Sequence, residues 1–302
     1  MRLQTPILLL IFNRPEQTQK IFEQIRLQQP VQLFIAADGP RFNKPEDAEL
    51  CEKTKQVVLQ RIDWKCDVKT LFQITNQGCG KAVSNAISWF FEHVEEGIIL
   101  EDDCLPDATF FSFCSNLLER YRKDEKIMHI SGTNYQMGTT RGDGSYYFSY
   151  YTHIWGWASW RRAWKKYDYT LNRYKDISRE GLNTQLQDDL QTIYSKKIDT
   201  WDIQWFMTVW FNKGWTITPN TNLIRNIGCG KMATHTKHKP VWFKKLTYGS
   251  ITEIKHPVTI EIDEKADQFS ADTLFKSGNL LSAVRKIVKT VLPHKLLEFI
   301  SG

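Results

Sequence analysis

The sequence predicts an α/β fold in which helices cover both faces of a mostly parallel central sheet. Over the first 131 residues, short apolar runs alternate with longer stretches of helical periodicity, which is typical of parallel strands joined by helices. Several of the apolar runs end at a turn signal, such as Asp38-Gly39-Pro40. The chain has 302 residues, of which 41% are hydrophobic and 25% charged. It is therefore long enough and apolar enough to bury a large core.

The alternation of strands and helices is clearest in the first half of the chain. An unbroken apolar run indicates a strand buried on both faces, and apolar residues three and four positions apart indicate a helix. Ile21, Phe22 and Ile25, for example, fall on one face of a helix that follows the first strand. The predicted strands are 7–12, 31–37, 68–75, 97–100 and 127–131. The predicted helices are 17–27, 45–61, 80–96 and 107–121.

The pattern changes after residue 131. Residues 134–150 are rich in Gly, Ser, Thr and Tyr, a composition that predicts a long surface loop. Tryptophan is concentrated between residues 151 and 215, where helices are predicted over 178–197 and 201–212. Such a concentration of aromatic rings fits a packed core, and it also fits a pocket whose walls stack on sugar rings.

The last part of the chain predicts an appendage. Residues past 240 indicate a pair of strands and then a basic amphipathic helix over 280–300. That helix either packs its apolar face on the protein or lies on an anionic membrane. No Pro/Ser-rich linker or repeat interrupts the chain before it, so we predict one domain over residues 1–240 and an appendage over 241–302.

Composition also limits the compartment and the partners. The six cysteines form no Cys-x-x-Cys pair, which favours reduced thiols and a cytoplasmic location. The apolar run near the N-terminus lacks a cleavage site for a signal peptide, and no run approaches the length of a membrane-spanning helix. The net charge of +6 favours anionic small molecules or a membrane surface, and is too small to indicate nucleic acid.

An acidic triplet follows the fourth predicted strand. In open parallel sheets, ligands bind beyond the carboxyl ends of the strands, and Glu101, Asp102 and Asp103 lie there. Adjacent carboxylates repel one another, and a hard divalent cation such as Mn²⁺ or Mg²⁺ relieves the repulsion while also binding substrate phosphates. The triplet therefore indicates a nucleoside diphosphate site, or alternatively a solvated acidic turn in which Asp107 caps the next helix.

Other phosphate and metal motifs are not supported. Residues 78–82 and 228–232 each contain a Gly-Lys pair, but both lack the remaining residues of a P-loop. No Gly-x-Gly-x-x-Gly follows the first strand, which removes the common dinucleotide-binding interpretation. The histidines are scattered and have no matching cysteine pair, so a zinc site is not predicted either.

Several segments resemble, in the same order along the chain, the GT-A nucleotide-sugar glycosyltransferases with their Rossmann-like fold. The resemblance is to the N-acetylglucosaminyltransferase I type in particular, whose metal motif is also Glu-Asp-Asp followed by a Pro/Asp and Phe-Phe stretch. It extends over residues 6–236. The segments that carry it are 6–14, 37–39, 101–111, 156–160, 200–205 and 226–236.

The resemblance assigns roles to six residues in these segments. It implies that Arg14 and Asp38 contact the nucleotide, with Asp38 accepting a hydrogen bond from the imide N–H of the base. It further implies that Asp102 touches the ribose or the sugar, that Asp103 ligates the metal with Glu101 beside it, and that Asp202 is the catalytic base. The chain departs from the family at residue 203, where isoleucine replaces a second acidic residue. Residues 1–131 would then bind the nucleotide sugar and metal, and 132–240 the acceptor.

Two basic residues are weaker candidates for binding the donor. Lys81, in the first turn of a predicted helix, either reaches the donor phosphates or is a solvated lysine at a helix end. His235 either donates to a phosphate or ligates the metal, or it only orders its loop.

The expected function is transfer of a sugar, GlcNAc-like, from a UDP donor to a saccharide or lipid-linked glycan acceptor. The reaction would be metal-dependent, would invert the anomeric centre, and would serve the synthesis of surface glycans. Two alternatives remain at this point. A sugar nucleotidyltransferase shares the sheet and metal but needs a Gly-rich basic loop after the first strand, and a non-catalytic glycan-binding module would not need Asp103 and Asp202.

Overall fold

The computed structural model describes residues 2–228 and 241–276. A mixed sheet of eight strands lies at its centre, and a separate pair of short strands lies beside it. In chain order the strands are β1 (Ile7–Ile11), β2 (Gln32–Ala37), β3 (Asp67–Phe72), β4 (Glu96–Glu101), β5 (Cys104–Pro106), β6 (Ile127–Ser131), β7 (Tyr146–Ser149), β8 (Trp157–Trp160), β9 (Trp215–Pro219) and β10 (Ile224–Asn226). The large sheet has the order β3-β2-β1-β4-β8-β6-β9-β7, and β5 pairs with β10.

Helices follow most of the strands of the first half, as the sequence predicts. Five predicted helices agree with the observed bounds to within a few residues, and the one predicted over 178–197 begins six residues later, at Thr184. The helices Arg161–Trp164 and Glu264–Ala271 were not predicted. In chain order the α-helices are α1 (Pro15–Gln28), α2 (Glu46–Leu59), α3 (Cys79–His93), α4 (Ala108–Arg120), α5 (Arg161–Trp164), α6 (Thr184–Tyr194), α7 (Asp202–Phe211) and α8 (Glu264–Ala271).

Strand β1 shows why the central strands are continuously apolar. Ile7, Leu9 and Ile11 pack into the core shared with α1, α2 and α4, while Leu8 and Leu10 pack into the core shared with α3, α5 and α7. Successive side chains of a strand point to opposite faces, so a strand covered on both sides has no polar positions. The predicted fold class, an α/β fold with a mostly parallel sheet flanked by helices, is confirmed.

Strands β1, β2, β3 and β4 are mutually parallel, so their carboxyl ends lie at one edge of the sheet. Strand β8 runs antiparallel between β4 and β6, and β7 runs antiparallel to β9. The β7 strand corrects the prediction that residues 134–150 are a loop throughout. Tyr146, Tyr147 and Phe148 are buried there, because the edge of the sheet is covered by residues that follow 241.

The predicted strand pair past residue 240 is wrong. In residues 241–276 the only strand-like pairings are two isolated bridges, Asn222 with Tyr248 and Phe148 with Ile262. Some apolar side chains of this segment pack on the core, as Ile251 does, whereas Val258 and Ile260 are exposed.

Residues 241–276 are attached to the preceding part by buried polar contacts. Gln136 Nε2 donates to the Ala266 carbonyl oxygen at 2.9 Å and contacts Ser270 Oγ at 2.8 Å. The Asp267 carboxylate accepts from the hydroxyl of Ser149 and, at 2.9 Å, from the amide of Tyr150. The domain boundary at residue 240 remains a prediction, and the predicted helix over 280–300 lies outside the described residues. Within 2–228 and 241–276, no helix has both the length and the apolar character needed to cross a membrane.

Candidate active site

A cavity of about 860 Å³ opens at the carboxyl ends of the parallel strands. Its walls come from the residues after β1, β2, β3 and β4, from the start of α3, and from residues 197–203. It brings together most of the residues singled out from the sequence: Arg14, Asp38, Glu101, Asp102, Asp103 and Asp202. Lys81 is exposed and is not one of the lining residues. His235 lies outside the described residues.

Arg14 joins the two aspartates of the triplet. Its Nη1 atom donates to Asp102 Oδ1 at 3.1 Å and to Asp103 Oδ2 at 2.9 Å. The backbone amide of Phe12 donates to the other oxygen of Asp102 at 3.2 Å. Burial raises the pKa of Asp102 to about 7, and Asp103 adds to this while Arg14 opposes it. The guanidinium therefore neutralises only part of the negative charge that collects after β4.

Glu101 adds a third carboxyl group beside these two aspartates, and its surroundings disfavour the charged form. Burial raises its pKa well above the ordinary value, and the charges of Asp103, Asp102 and Asp202 raise it further. Such a site gains from a cation, and carboxylate oxygens suit Mg²⁺ or Mn²⁺.

The carboxylate oxygens of the triplet suit a cation that is held by only a few protein ligands. Among the described residues, no three His, Cys, Asp or Glu side chains are placed to hold a metal together. An ion of the Mg²⁺ type needs only one or two carboxylates when substrate phosphates and water complete its shell. Asp103, whose side chain is 19% exposed against 9% for Asp102, is the more accessible of the two aspartates. Gly228 packs so closely on it that a Cβ atom would collide with its carboxylate.

Asp38 is heavily hydrogen-bonded within the protein. One oxygen accepts from the amides of Gly39 and Gln77, both at 2.8 Å, and the other accepts from Asn76 Nδ2 at 2.8 Å. Burial nevertheless raises the pKa of Asp38, with these hydrogen bonds opposing it. Asn76 Nδ2 also donates to the Gly39 carbonyl at 2.9 Å, so the orientation of its amide is fixed. The carbonyl oxygen of that amide has no partner among the described residues, and Asn76 lines the cavity.

Asp202 is the first residue of α7 and lines the same cavity. A carboxylate is favoured at this position because helix N-termini are electropositive. The hydroxyl of Thr200 donates to Asp202 Oδ1. Its other oxygen accepts no hydrogen bond from the described residues, so it is free to take a proton.

Two groups can be distinguished among the tryptophans of the second half. Four form a buried cluster in which the Trp157 and Trp201 rings stack at 5.8 Å: Trp157, Trp164, Trp201 and Trp205. Packing thus accounts for most of the aromatic excess in this region, since a ring enclosed by other rings cannot also face a ligand. Only Trp201 of these four contributes to the cavity wall.

A different aromatic group lines the other end of the cavity. Trp155 and Trp242 are partly exposed, with ring centroids 6.3 Å apart, and Phe243 lies 5.8 Å from Trp155. Tyr135 packs edge-on against Trp242 at 5.1 Å. Trp242 and Phe243 were missed from the sequence because they follow the tryptophan-rich region by many residues, and no spacing connects them to it.

Comparisons with known proteins give limited information. No protein-family model matches the chain, and no curated protein matches its sequence. Among solved structures, the chain is similar to a cytidylyltransferase from Leptospira borgpetersenii (10% identity, 66% of this chain and 75% of that one, TM-score 0.36). It is also similar to an apo UDP-glucose pyrophosphorylase (9%, 72% and 90%, 0.37) and to mouse xyloside xylosyltransferase 1 (12%, 67% and 80%, 0.34). Likeness at this level carries no information about the reaction, so the function is argued from the site.

Proposed function

We propose that the chain is a glycosyltransferase of the GT-A type that moves a sugar from a nucleoside diphosphate donor to a saccharide acceptor. The observation that carries the proposal is one cavity holding three kinds of group. These are the charged group of Arg14 and residues 101–103, the carboxylate of Asp202, and a wall of partly exposed aromatic rings. Sugar transfer needs a counter-charge for the leaving diphosphate, a base for the acceptor hydroxyl, and a surface that binds a sugar ring.

The donor would bind on the side of the strands. Arg14 would approach the diphosphate from its place between Asp102 and Asp103, and Asp38 and Asn76 would form the part of the wall nearest the base. A Mn²⁺ or Mg²⁺ ion held by Asp103, with Glu101 beside it, would supply counter-charge to the departing diphosphate. We propose UDP as the nucleotide and a GlcNAc-like sugar as the transferred group, on the resemblance described above.

Asp202 would act as the base. Its carboxylate would remove the proton of the acceptor hydroxyl as the new bond from that oxygen to the anomeric carbon forms and the bond to the diphosphate breaks. The attack comes from the face opposite the leaving group and inverts the anomeric centre. The bond from Thr200 holds one oxygen and leaves the other for the proton.

The acceptor would bind against the group formed by Tyr135, Trp155, Trp242 and Phe243. Flat apolar rings stack on the carbon faces of pyranose rings, and they exclude water from a reactive donor. A saccharide, free or lipid-linked, is the acceptor class that fits this wall. We further propose a cytoplasmic location and a role in surface glycan synthesis, with residues 241–302 as an appendage whose last helix could contact a membrane.

A panel of nucleotide sugars tests the proposal. The chain is incubated with each donor and Mn²⁺, and release of the nucleoside diphosphate is measured. We expect release from a UDP-sugar, and a fall of about 10²- to 10⁴-fold in kcat for Asp202→Asn with unchanged UDP affinity. The matched control is Asp188→Asn, which makes the same change at an exposed site on α6.

Two results would contradict the proposal. Production of pyrophosphate from UTP and a sugar 1-phosphate would identify a nucleotidyltransferase instead. Failure to bind UDP, with and without Mn²⁺, would leave no donor site and would favour a glycan-binding module. Undiminished turnover in Asp202→Asn would overturn only the assignment of the base.

A further inference from the structure

Asp199 lies at the start of α3, although 119 residues separate it from Gly80 in the chain. The backbone amide of Gly80 donates to Asp199 Oδ1 at 2.9 Å. This amide is one of those in the first turn of a helix that have no partner within the helix. A carboxylate in this position is also favoured by the positive end of the helix dipole.

The two glycines at this point form a cradle for the Asp199 carboxylate. A Cβ atom on Gly78 would lie 2.6 Å from Asp199 Oδ2, and one on Gly80 would lie 2.6 Å from Asp199 Oδ1. Gly78 also has a φ of +82°, which residues with side chains rarely adopt. The close approach of Asp199 therefore explains the two glycines of the segment 78–82, which the sequence analysis compared with a P-loop.

Tyr169 closes the cradle from a third direction. A Cβ atom on Gly80 would come within 2.6 Å of its hydroxyl oxygen as well. Burial raises the pKa of Tyr169, and the charge of Asp199 and a hydrogen bond to it raise it further. Asp199 is thus held by a backbone amide and a phenol, which fix its position on two sides.

The segment from Asp199 to Asp202 is anchored at successive residues. The Thr200 carbonyl accepts from Gln204 Nε2 at 2.8 Å, and the Thr200 hydroxyl donates to Asp202. The Trp201 carbonyl accepts from the Tyr167 hydroxyl at 3.2 Å. Of these residues, Asp199 is the one whose hydrogen bond reaches α3. Helix α3 lies on the proposed donor side of the cavity.

We infer that Asp199 is a positioning residue for the base. It connects the segment carrying Thr200 and Asp202 to α3, and so sets the separation between the donor wall and the carboxylate that accepts the proton. The inference rests on the proposed function, since it concerns the same base. Displacement of a catalytic group by about 1 Å can lower a rate by two orders of magnitude, so a group that fixes this distance affects kcat through the position of the base.

Three variants of Asp199 test the inference in the full chain. Asp199→Ala removes the acceptor, and Asp199→Glu keeps the charge on a side chain too long for the glycine cradle. Both should lower kcat by about 10- to 100-fold and leave the Kd for UDP within about twofold. Asp199→Asn keeps an oxygen for the Gly80 amide and should retain most of the activity. If the alanine variant does not fold, the glutamate variant carries the comparison.

A control at another helix separates positioning from general stability. Asp263 caps α8, where its carboxylate accepts from the Ala266 amide at 2.8 Å, and it does not line the cavity. Asp263→Ala removes a carboxylate from a helix start, as Asp199→Ala does. It should lower stability to unfolding and leave kcat unchanged.

A double mutant shows whether Asp199 acts through the base. In an Asp202→Asn background, Asp199→Ala should cause no further loss of kcat, because residues that act as a unit are not additive. An equal further loss in that background overturns the inference, and so does an unchanged kcat in both Asp199→Ala and Asp199→Glu. Absence of transfer by the unmodified chain with every donor overturns the proposed function together with the inference.

Discussion

Two histidines, His129 and His153, are buried beside the tryptophan cluster, and we expect both to be neutral in the folded protein. Trp205 Nε1 donates to His129 Nδ1 at 3.1 Å, so His129 carries its proton on Nε2 and donates it to the His153 carbonyl at 3.1 Å. The Nε2 atom of His153 is buried without a partner among the described residues. Burial lowers the pKa of each histidine from 6.5 to about 3. For His153, the electrostatic effect of His129 contributes to the shift as well.

This shift implies a loss of stability in acid. With a pKa lower in the folded state, each histidine binds more protons when the chain is unfolded, so stability is lost as the pH falls from about 6.5 to about 3. At pH 5, about one and a half pH units below the ordinary pKa, each buried histidine lowers the free energy of unfolding by about 2 kcal/mol relative to its value above pH 6.5. Asp267 acts in the opposite direction, because burial raises its pKa to about 6 and its protonated form is favoured in the folded state.

Comparison with His153→Phe isolates one histidine, since the contribution of Asp267 is the same in both proteins. Phenylalanine retains an aromatic ring for the contact with Tyr135, which lies 4.7 Å from His153, and it removes the unpartnered nitrogen. Urea unfolding at pH 8 and pH 5 gives the free energy of unfolding for each protein. Between these pH values we expect the unmodified chain to lose about 2 kcal/mol more than the variant. A difference below about 0.5 kcal/mol would show that His153 is not held neutral by burial, and would refute the reasoning.

Three further variants test other parts of the site. Gly80→Ala places a methyl group against the oxygens of Asp199, Tyr169 and Thr200, and urea unfolding should show a loss of about 1–3 kcal/mol. Trp242→Ala removes a ring from the acceptor wall, and steady-state kinetics should show the KM for the acceptor raised by about tenfold, with donor affinity unchanged. Arg14→Met leaves the carboxylates after β4 without their guanidinium, and calorimetry should show UDP binding weakened by about tenfold or more.

The strands buried on both faces were the most predictable part of the fold. Strand β6 has its predicted bounds, β1 and β2 differ from theirs by one residue at one end, and β4 is longer by one residue at each end. In β1 and in residues 97–100 of β4 the side chains face helices on both sides, so the apolar run is unbroken. Strand β8 contains Ser159, whose hydroxyl is buried and donates to the Met128 carbonyl at 2.7 Å. Strand β8 has only four residues and forms neither a long apolar run nor an alternation, and it was missed.

The site also has a part that sequence patterns predict and a part that they do not. The grouping of Arg14, Asp38 and the acidic triplet followed from one rule, that parallel strands bring their carboxyl ends to one edge, although the roles of these residues stay predictions. Asp199 and Trp242 reach the cavity from segments that no local pattern connects to it. The tryptophan cluster could not be separated from a sugar-binding wall by sequence, because both uses require the same apolar faces.

The place of β8 in the sheet has a consequence for the modularity of the chain. The division at residue 131 assigns β4 and β6 to the first half, yet these two strands do not pair with each other and are joined only through β8, which belongs to the second half. A fragment ending at residue 131 would expose one edge of β4 and leave β6 without either neighbour. The two proposed halves are therefore joined by backbone pairing, and neither could be exchanged or expressed alone unless the fragment included β8.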